Sequence, residues 1–270
     1  MRTLFEKLNK NFFRYTSKKK FKKAEQIIEE MIESGLYKHD IYYYRGRLEH
    51  EKGNYLKGLN YLNKAIHIKP SNYLDYLAKG NIYYEMKKYK DALSEYRKAY
   101  SLNKEDEIVN FNTAMSFWYL EKYKEAIKFF NRAIQCSKKI DVTSVKFLGN
   151  SLESLGRFEE ALKLYTKAIR KIPSNAELYA LKGDCLKYLC KFSQADKYLT
   201  KAIRIKPNEY YIYYYKASNL HLWAENVKIQ TKREKLFREA LKWYNNCIKY
   251  KVEIKDSIRG RNECNLALKR

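Results

Sequence analysis

Proline and glycine are scarce in this chain of 270 residues, at 3 and 9. That leaves little of the turn chemistry β-hairpins require, so long helices are the expectation. Cysteines number five (Cys136, Cys185, Cys190, Cys247 and Cys264), with no C-x-x-C pair. An odd count without that spacing argues against a disulfide framework and a structural zinc site, and for a reducing, cytoplasmic setting. The four histidines, His39, His50, His67 and His221, show no metal-ligand spacing, and no glycine-rich phosphate loop occurs. The chain therefore reads as a non-enzyme with no cofactor and no metal. No apolar run approaches the length of a membrane span. Residues 1–20 lack the apolar stretch of a secretory signal. They are basic, with Leu4, Phe5, Leu8 and Phe12 on one helical face. A mitochondrial presequence has the same pattern, but these residues fall where the first helix of a repeat belongs.

Acidic residues are outnumbered 31 to 56, giving a net charge of +25. Such an excess fits either an acidic partner or a solvated lysine-rich surface. Hydrophobic residues at 45% and charged residues at 32% are those of a folded chain.

What is present is periodic. Pro70, Pro173 and Pro207 each close a segment of one kind, as in Tyr-Leu-Thr-Lys-Ala-Ile-Arg-Ile-Lys-Pro, and the last two stand 34 residues apart. With proline at position 32 of a repeat, position 20 holds Ala24, Gly58, Ala92, Ala126, Ala161, Ala195 and, after an insertion, Ala240. Position 17 is always aromatic, from Phe21 and Tyr55 to Phe192 and Phe237. Position 8 is small at Gly46, Gly80, Ala114, Gly149, Gly183 and Ala217, and position 27 is small from Ala65 onward. Small residues at 8, 20 and 27 let two antiparallel helices approach, and large ones at 4, 11, 17 and 24 fill the gaps. The units are 5–38, 39–72, 73–106, 107–140, 142–175, 176–209 and 210–254, with Asp141 as one extra residue. Each is expected to hold a first helix over positions 1–14 and a second over 18–31.

These units resemble tetratricopeptide repeats, whose pattern has an aromatic at 4, Gly at 8, Ala at 20 and 27 and Pro at 32. The resemblance implies an all-α fold, a right-handed superhelical solenoid of antiparallel helix pairs with about seven repeats. Position 7 departs from it: the family often has Leu there, and this chain has Arg45, Lys79, Lys182 and Lys216. Residues 255–270 are expected to form a C-terminal capping helix, started by Asp256 or Ser257 and covering the last repeat with Ile258, Leu266 and Leu268. Gly260 is expected to weaken it. The insertion at 225–235, with Lys228, Lys232, Arg233 and Lys235, fits a lengthened helix pair, a solvated loop or a basic protrusion that contacts a partner.

The resemblance further implies a concave groove lined by positions 2, 5, 6, 9, 12 and 13 of the first helices. There the sequence places the aromatics Tyr43, Tyr84, Phe111, Trp118, Tyr119, Tyr188, Tyr211 and Tyr214, and the polar or basic Arg47, Asn81, Asn112, Lys146, Asn150 and Lys187. Rings beside amides and cations suit a peptide, an acidic one in particular. One subfamily clamps acidic chaperone tails with Lys and Asn at fixed positions. Lys146 and Asn150 match its first pair, but Leu181, Tyr211 and Tyr215 replace the rest. The expected function is thus a protein-interaction scaffold or co-chaperone-like adaptor. The alternative is an RNA-binding repeat protein that uses its cations and 27 tyrosines.

Overall fold

The computed structural model describes residues 2–35 and 37–269, with side chains from residue 6 onward. Among the described residues all regular structure is α-helical, and the chain divides into two compact units, residues 1–137 and 138–270.

The first unit holds four antiparallel pairs: α1 (Arg2–Ser17) with α2 (Phe21–Glu33), α3 (Lys38–Glu51) with α4 (Tyr55–Ile68), α5 (Tyr73–Glu85) with α6 (Tyr89–Leu102), and α7 (Glu107–Tyr119) with α8 (Tyr123–Cys136). The second holds α9 (Val142–Ser154) with α10 (Phe158–Lys171), α11 (Ala176–Tyr188) with α12 (Phe192–Ile205), α13 (Tyr211–Glu225) with α14 (Gln230–Lys249), and then α15 (Ile254–Lys269). Within each unit a pair packs on the next, so the pairs form a helical-repeat stack.

Volume recurring along the sequence explains the stacking. Ala24, Ala92, Ala126, Ala161, Ala195 and Ala240, at position 20, are all fully buried. The large side chains one turn further along the same helices, among them Tyr96, Phe130 and Tyr165, are buried to within 1%. A Cβ on Gly80 or Gly149 would overlap the ring of Tyr96 or Tyr165, so only glycine admits a tyrosine of the second helix at those two places. Each fully buried large apolar side chain contributes about 1.5–3 kcal/mol. Proline ends second helices as expected: α4, α10 and α12 stop two residues before Pro70, Pro173 and Pro207.

In the first six repeats the second helix begins at position 17, one residue earlier than expected, because the turn before it is tight. Position 15 lies in the left-handed region in each of the first six repeats: Lys19, Gly53, Lys87, Glu121, Gly156 and Cys190, with φ between 53° and 80°. The following amide then bonds back to the first helix, as Lys88 N to Tyr83 O at 2.9 Å and Lys191 N to Leu186 O at 3.0 Å. Those bonds satisfy carbonyls that the helix end leaves open. Four of the first helices are capped by side chains: Asn72, Asp106, Asp141 and Asn175 accept from the amides of the first turn. The extra residue Asp141 is thus the N-cap of α9.

His39 ties successive pairs of the first unit together. Its Nε2 lies 2.8 Å from Oδ2 of the buried Asp75, and its Nδ1 2.9 Å from Asp40 Oδ1. Burial pulls the imidazole pKa down, but the bonds to Asp75 and Asp40 outweigh it and the net direction is up.

Two expectations at the ends need correction. The helix α15 starts at Ile254, so neither Asp256 nor Ser257 caps it. Its buried stripe is Ser257, Gly260 and Cys264, with Ala267 and Leu268 packed on the same core. Ile258 and Leu266 are 37% and 59% exposed, because they lie off that i, i+3, i+7 stripe. The insertion is absorbed by helix: α13 has 15 residues and α14 has 20, against 13 and 14 in the pair before them. At the N-terminus Leu8 and Phe12 are buried as the helical stripe required, and the side chains of Leu4 and Phe5 lie outside the described residues.

Candidate functional site

The first helices present one face to their second helices and another away from them. In the first unit that second face carries an aromatic and amide patch. Tyr84, from α5, meets Tyr119, from α7, edge-on at 5.6 Å between centroids. Tyr119, 42% exposed, stacks on Tyr89 at 4.4 Å and 8° between planes, and Trp118 stands perpendicular to it at 5.1 Å. Beside the rings, Asn112 Nδ2 donates to Asn81 Oδ1 at 2.9 Å, and the Tyr96 hydroxyl donates to the same oxygen at 2.8 Å. That fixes both amides in orientation, with Asn81 Nδ2 left to donate elsewhere. The sequence put Tyr84, Trp118, Tyr119, Asn81 and Asn112 on this face. It did not reveal Tyr89, which stands at the start of a second helix and belonged to the core by its repeat position.

Three other expected residues of the first unit face their own structure. Tyr43 packs against the cores on both sides of it. Phe111 lies edge-on to Phe130, at 5.8 Å. Arg47 lies over the Phe13 ring at 5.2 Å, and its buried Nε has no hydrogen-bond partner among the described residues.

The second unit sets out the same positions with more charge, most of it paired. Lys146 Nζ bonds Glu177 Oε1 at 2.8 Å, from one first helix to the next. Lys187 is buried to 6% exposure; its Nζ lies 2.6 Å from Asp184 Oδ1 and 4.6 Å from the Tyr188 ring centroid. Both cations thus have a counter-ion within their own unit, and an incoming carboxylate would have to displace it. Tyr188 is 55% exposed and stacks on Phe158 at 5.4 Å. Tyr211 packs against Tyr215 at 5.8 Å, Tyr214 lies 6.4 Å from Tyr244, and Asn150 is half-buried. One acid here was missed: Glu153, at position 12 of α9, accepts from the Tyr165 hydroxyl at 2.9 Å. Burial pushes its pKa up to about 7, opposed by that bond and helped by the charge of Asp184.

Among the described residues no group of three or more His, Cys, Asp or Glu is placed to hold a metal ion. No helix there is long and apolar enough to cross a membrane.

A stack of helix pairs with small residues at their crossings defines a helical-repeat protein. Sequence profiles described as tetratricopeptide repeat match residues 39–72, 77–139, 146–175 and 176–209, and the chain belongs to that family. Its repeats are those of a protein-interaction scaffold. No curated protein matches the chain in sequence. Among solved structures it is similar to a tetratricopeptide repeat protein from Parabacteroides merdae ATCC 43184, at 14% identity and a TM-score of 0.60, over 96% of this chain and 98% of that one. It is also similar to MamA, at 21% identity and 0.59, over 63% and 93%. A third is YrrB, described as a TPR protein with an unusual peptide-binding site, at 20% identity and 0.54, over 67% and 91%. At these identities the likeness is one of fold.

Proposed function

We propose that the chain is an adaptor that holds a peptide segment of a partner protein against the outward faces of its first helices. The patch of Tyr84, Tyr89, Trp118 and Tyr119 beside the Asn81–Asn112 pair carries this reading. Rings supply contact area at little entropic cost, and oriented amides bond an extended backbone. The exposed Tyr188 offers a similar platform in the second unit. The cations Lys146 and Lys187 are already neutralised, so recognition on these faces rests on rings and amides more than on charge. Five free thiols support a reducing, cytoplasmic setting of the kind a co-chaperone-like adaptor would occupy.

Affinity purification with mass spectrometry tests this directly, comparing the wild type with a Tyr84→Ala/Tyr119→Ala variant that keeps its helical circular dichroism. The expected result is a set of proteins recovered with the wild type and depleted at least about fivefold with the variant. Recovery of the same proteins in equal amounts would move the site elsewhere. Recovery of none above background would remove the adaptor reading.

A further inference from the structure

Position 7 of the repeat, where this chain departs from its family, carries Arg45, Lys79, Lys182 and Lys216. Arg45 and Lys182 each line a groove between two successive second helices of their own unit. Three of the four meet a carboxylate of their own unit. Arg45 reaches Glu29 at 3.5 Å, Lys79 reaches Glu95 at 3.2 Å, and Lys216 pairs with Asp196 while donating to Thr200 Oγ1 at 2.7 Å. The acids stand at position 25 or 21 of the preceding repeat, or at 23 of the same one.

Lys182 has no such partner. The three corresponding positions hold Thr166, Leu162 and Tyr198, and no carboxylate among the described residues forms an ion pair with it. Its ammonium lies over the Tyr198 ring, 4.3 Å from the centroid. The groove around it, between α10 and α12 with α11 as its floor, encloses about 600 Å³. Lys163, Lys167, Arg170 and Lys191 complete its walls, Leu162 and Leu186 lie among them, and no acidic residue does. The equivalent groove between α2 and α4 is lined by Glu25, Glu29 and Glu49 around Arg45. One fold position is thus supplied with an acid by the chain in one place and left basic in the other.

We propose that the α10–α12 groove binds an acidic peptide segment of a partner protein, with a side-chain carboxylate on Lys182 where Glu29 and Asp196 stand on Arg45 and Lys216. Five cations without an acid raise a local positive field that such a segment neutralises. Leu162 and Leu186 give an apolar neighbour of that carboxylate a place to pack. A nucleic-acid strand fits less well, because the groove's one ring, Tyr198, already carries Tyr179 at 6.2 Å and the Lys182 ammonium.

The test is fluorescence anisotropy on the full chain with a labelled peptide of alternating Glu and Leu, its Gln-for-Glu counterpart, and oligouridylate RNA. The acidic peptide is expected to bind at least about tenfold more tightly than the Gln peptide, with affinity falling as salt rises. Thr166→Glu restores the acid that Glu29 supplies at the equivalent position; it should cut that affinity about tenfold or more and leave the thermal midpoint equal or higher. If that variant does not fold, Lys163→Gln/Lys167→Gln, on exposed positions, gives the same loss. Tyr84→Ala/Tyr119→Ala leaves this binding unchanged, so the groove and the aromatic patch are tested apart. Equal affinity of the acidic peptide for the wild type and for a folded groove variant overturns the proposal. So does RNA binding that is lost in those variants while the acidic peptide fails to bind.

Discussion

Glu153 shows how a packing rule shapes a titration. Gly149 lets Tyr165 enter between α9 and α10, and the Tyr165 hydroxyl then meets Glu153 at 2.9 Å in a place where water is largely excluded. Burial favours the neutral acid, and its pKa rises from 4.5 to about 7. The native state therefore holds a proton that the unfolded chain releases at a lower pH. Stability from this group is complete below about pH 4.5 and falls as pH rises toward 7. Glu153→Gln keeps the hydrogen-bonding shape without the ionisation. It should raise stability at pH 8 by about 1–3 kcal/mol and change it little at pH 4. Denaturant melts at the two pH values check this; an equal shift at both would mean that the carboxyl is ordinarily ionised in the fold.

At the scale of the helix, α15 shows where sequence pattern stops being informative. Propensity alone marks Gly260 as a weak point. In the fold it is buried against α14, and a Cβ there would run into the Tyr244 ring. Gly260→Ala gains about 1 kcal/mol of helix propensity but overpacks a filled contact, which costs about 1–3 kcal/mol. The expected outcome is a lower thermal midpoint, with amide exchange quickening in α15 before the other helices; a higher midpoint would show that Tyr244 moves aside freely.

The paired helices were legible because side-chain volume is written directly in the sequence: alanine at 20, an aromatic at 17 and proline at 32 suffice. The left-handed turn at position 15 was not, because lysine, glutamate and cysteine fill it twice as often as glycine does. The buried face of α15 was hidden for a related reason: its contact residues are small, and its more conspicuous Ile258 and Leu266 point outward. For the candidate site, the sequence identified the faces of the first helices and most of the rings and amides on them. It could not show that Lys146 and Lys187 are neutralised or that Lys182 is not, since those facts depend on side chains as far as 31 positions apart meeting in space.

For the whole molecule, 56 cations face 31 acids. Most of the ion pairs are partly exposed and individually worth little, while the unpaired excess repels itself. Raising salt from 0.1 M to 1 M contracts the screening distance from about 10 Å to about 3 Å. The thermal midpoint should therefore rise with salt; a fall would mean that the pairs outweigh the repulsion.

The turn at position 15 has one further consequence. It holds Cys190 on the surface, beside Lys191 of the basic groove, while Cys185, Cys247 and Cys264 are buried and Cys136 sits against Glu105. Burial pushes Cys247 up to about 11 and Cys264 up to about 12; it raises Cys185 as well, and Cys136 with help from Glu105. Thiolate is the reactive form. The unaltered protein therefore offers a maleimide dye one favoured attachment point, next to the groove whose occupancy the dye would report.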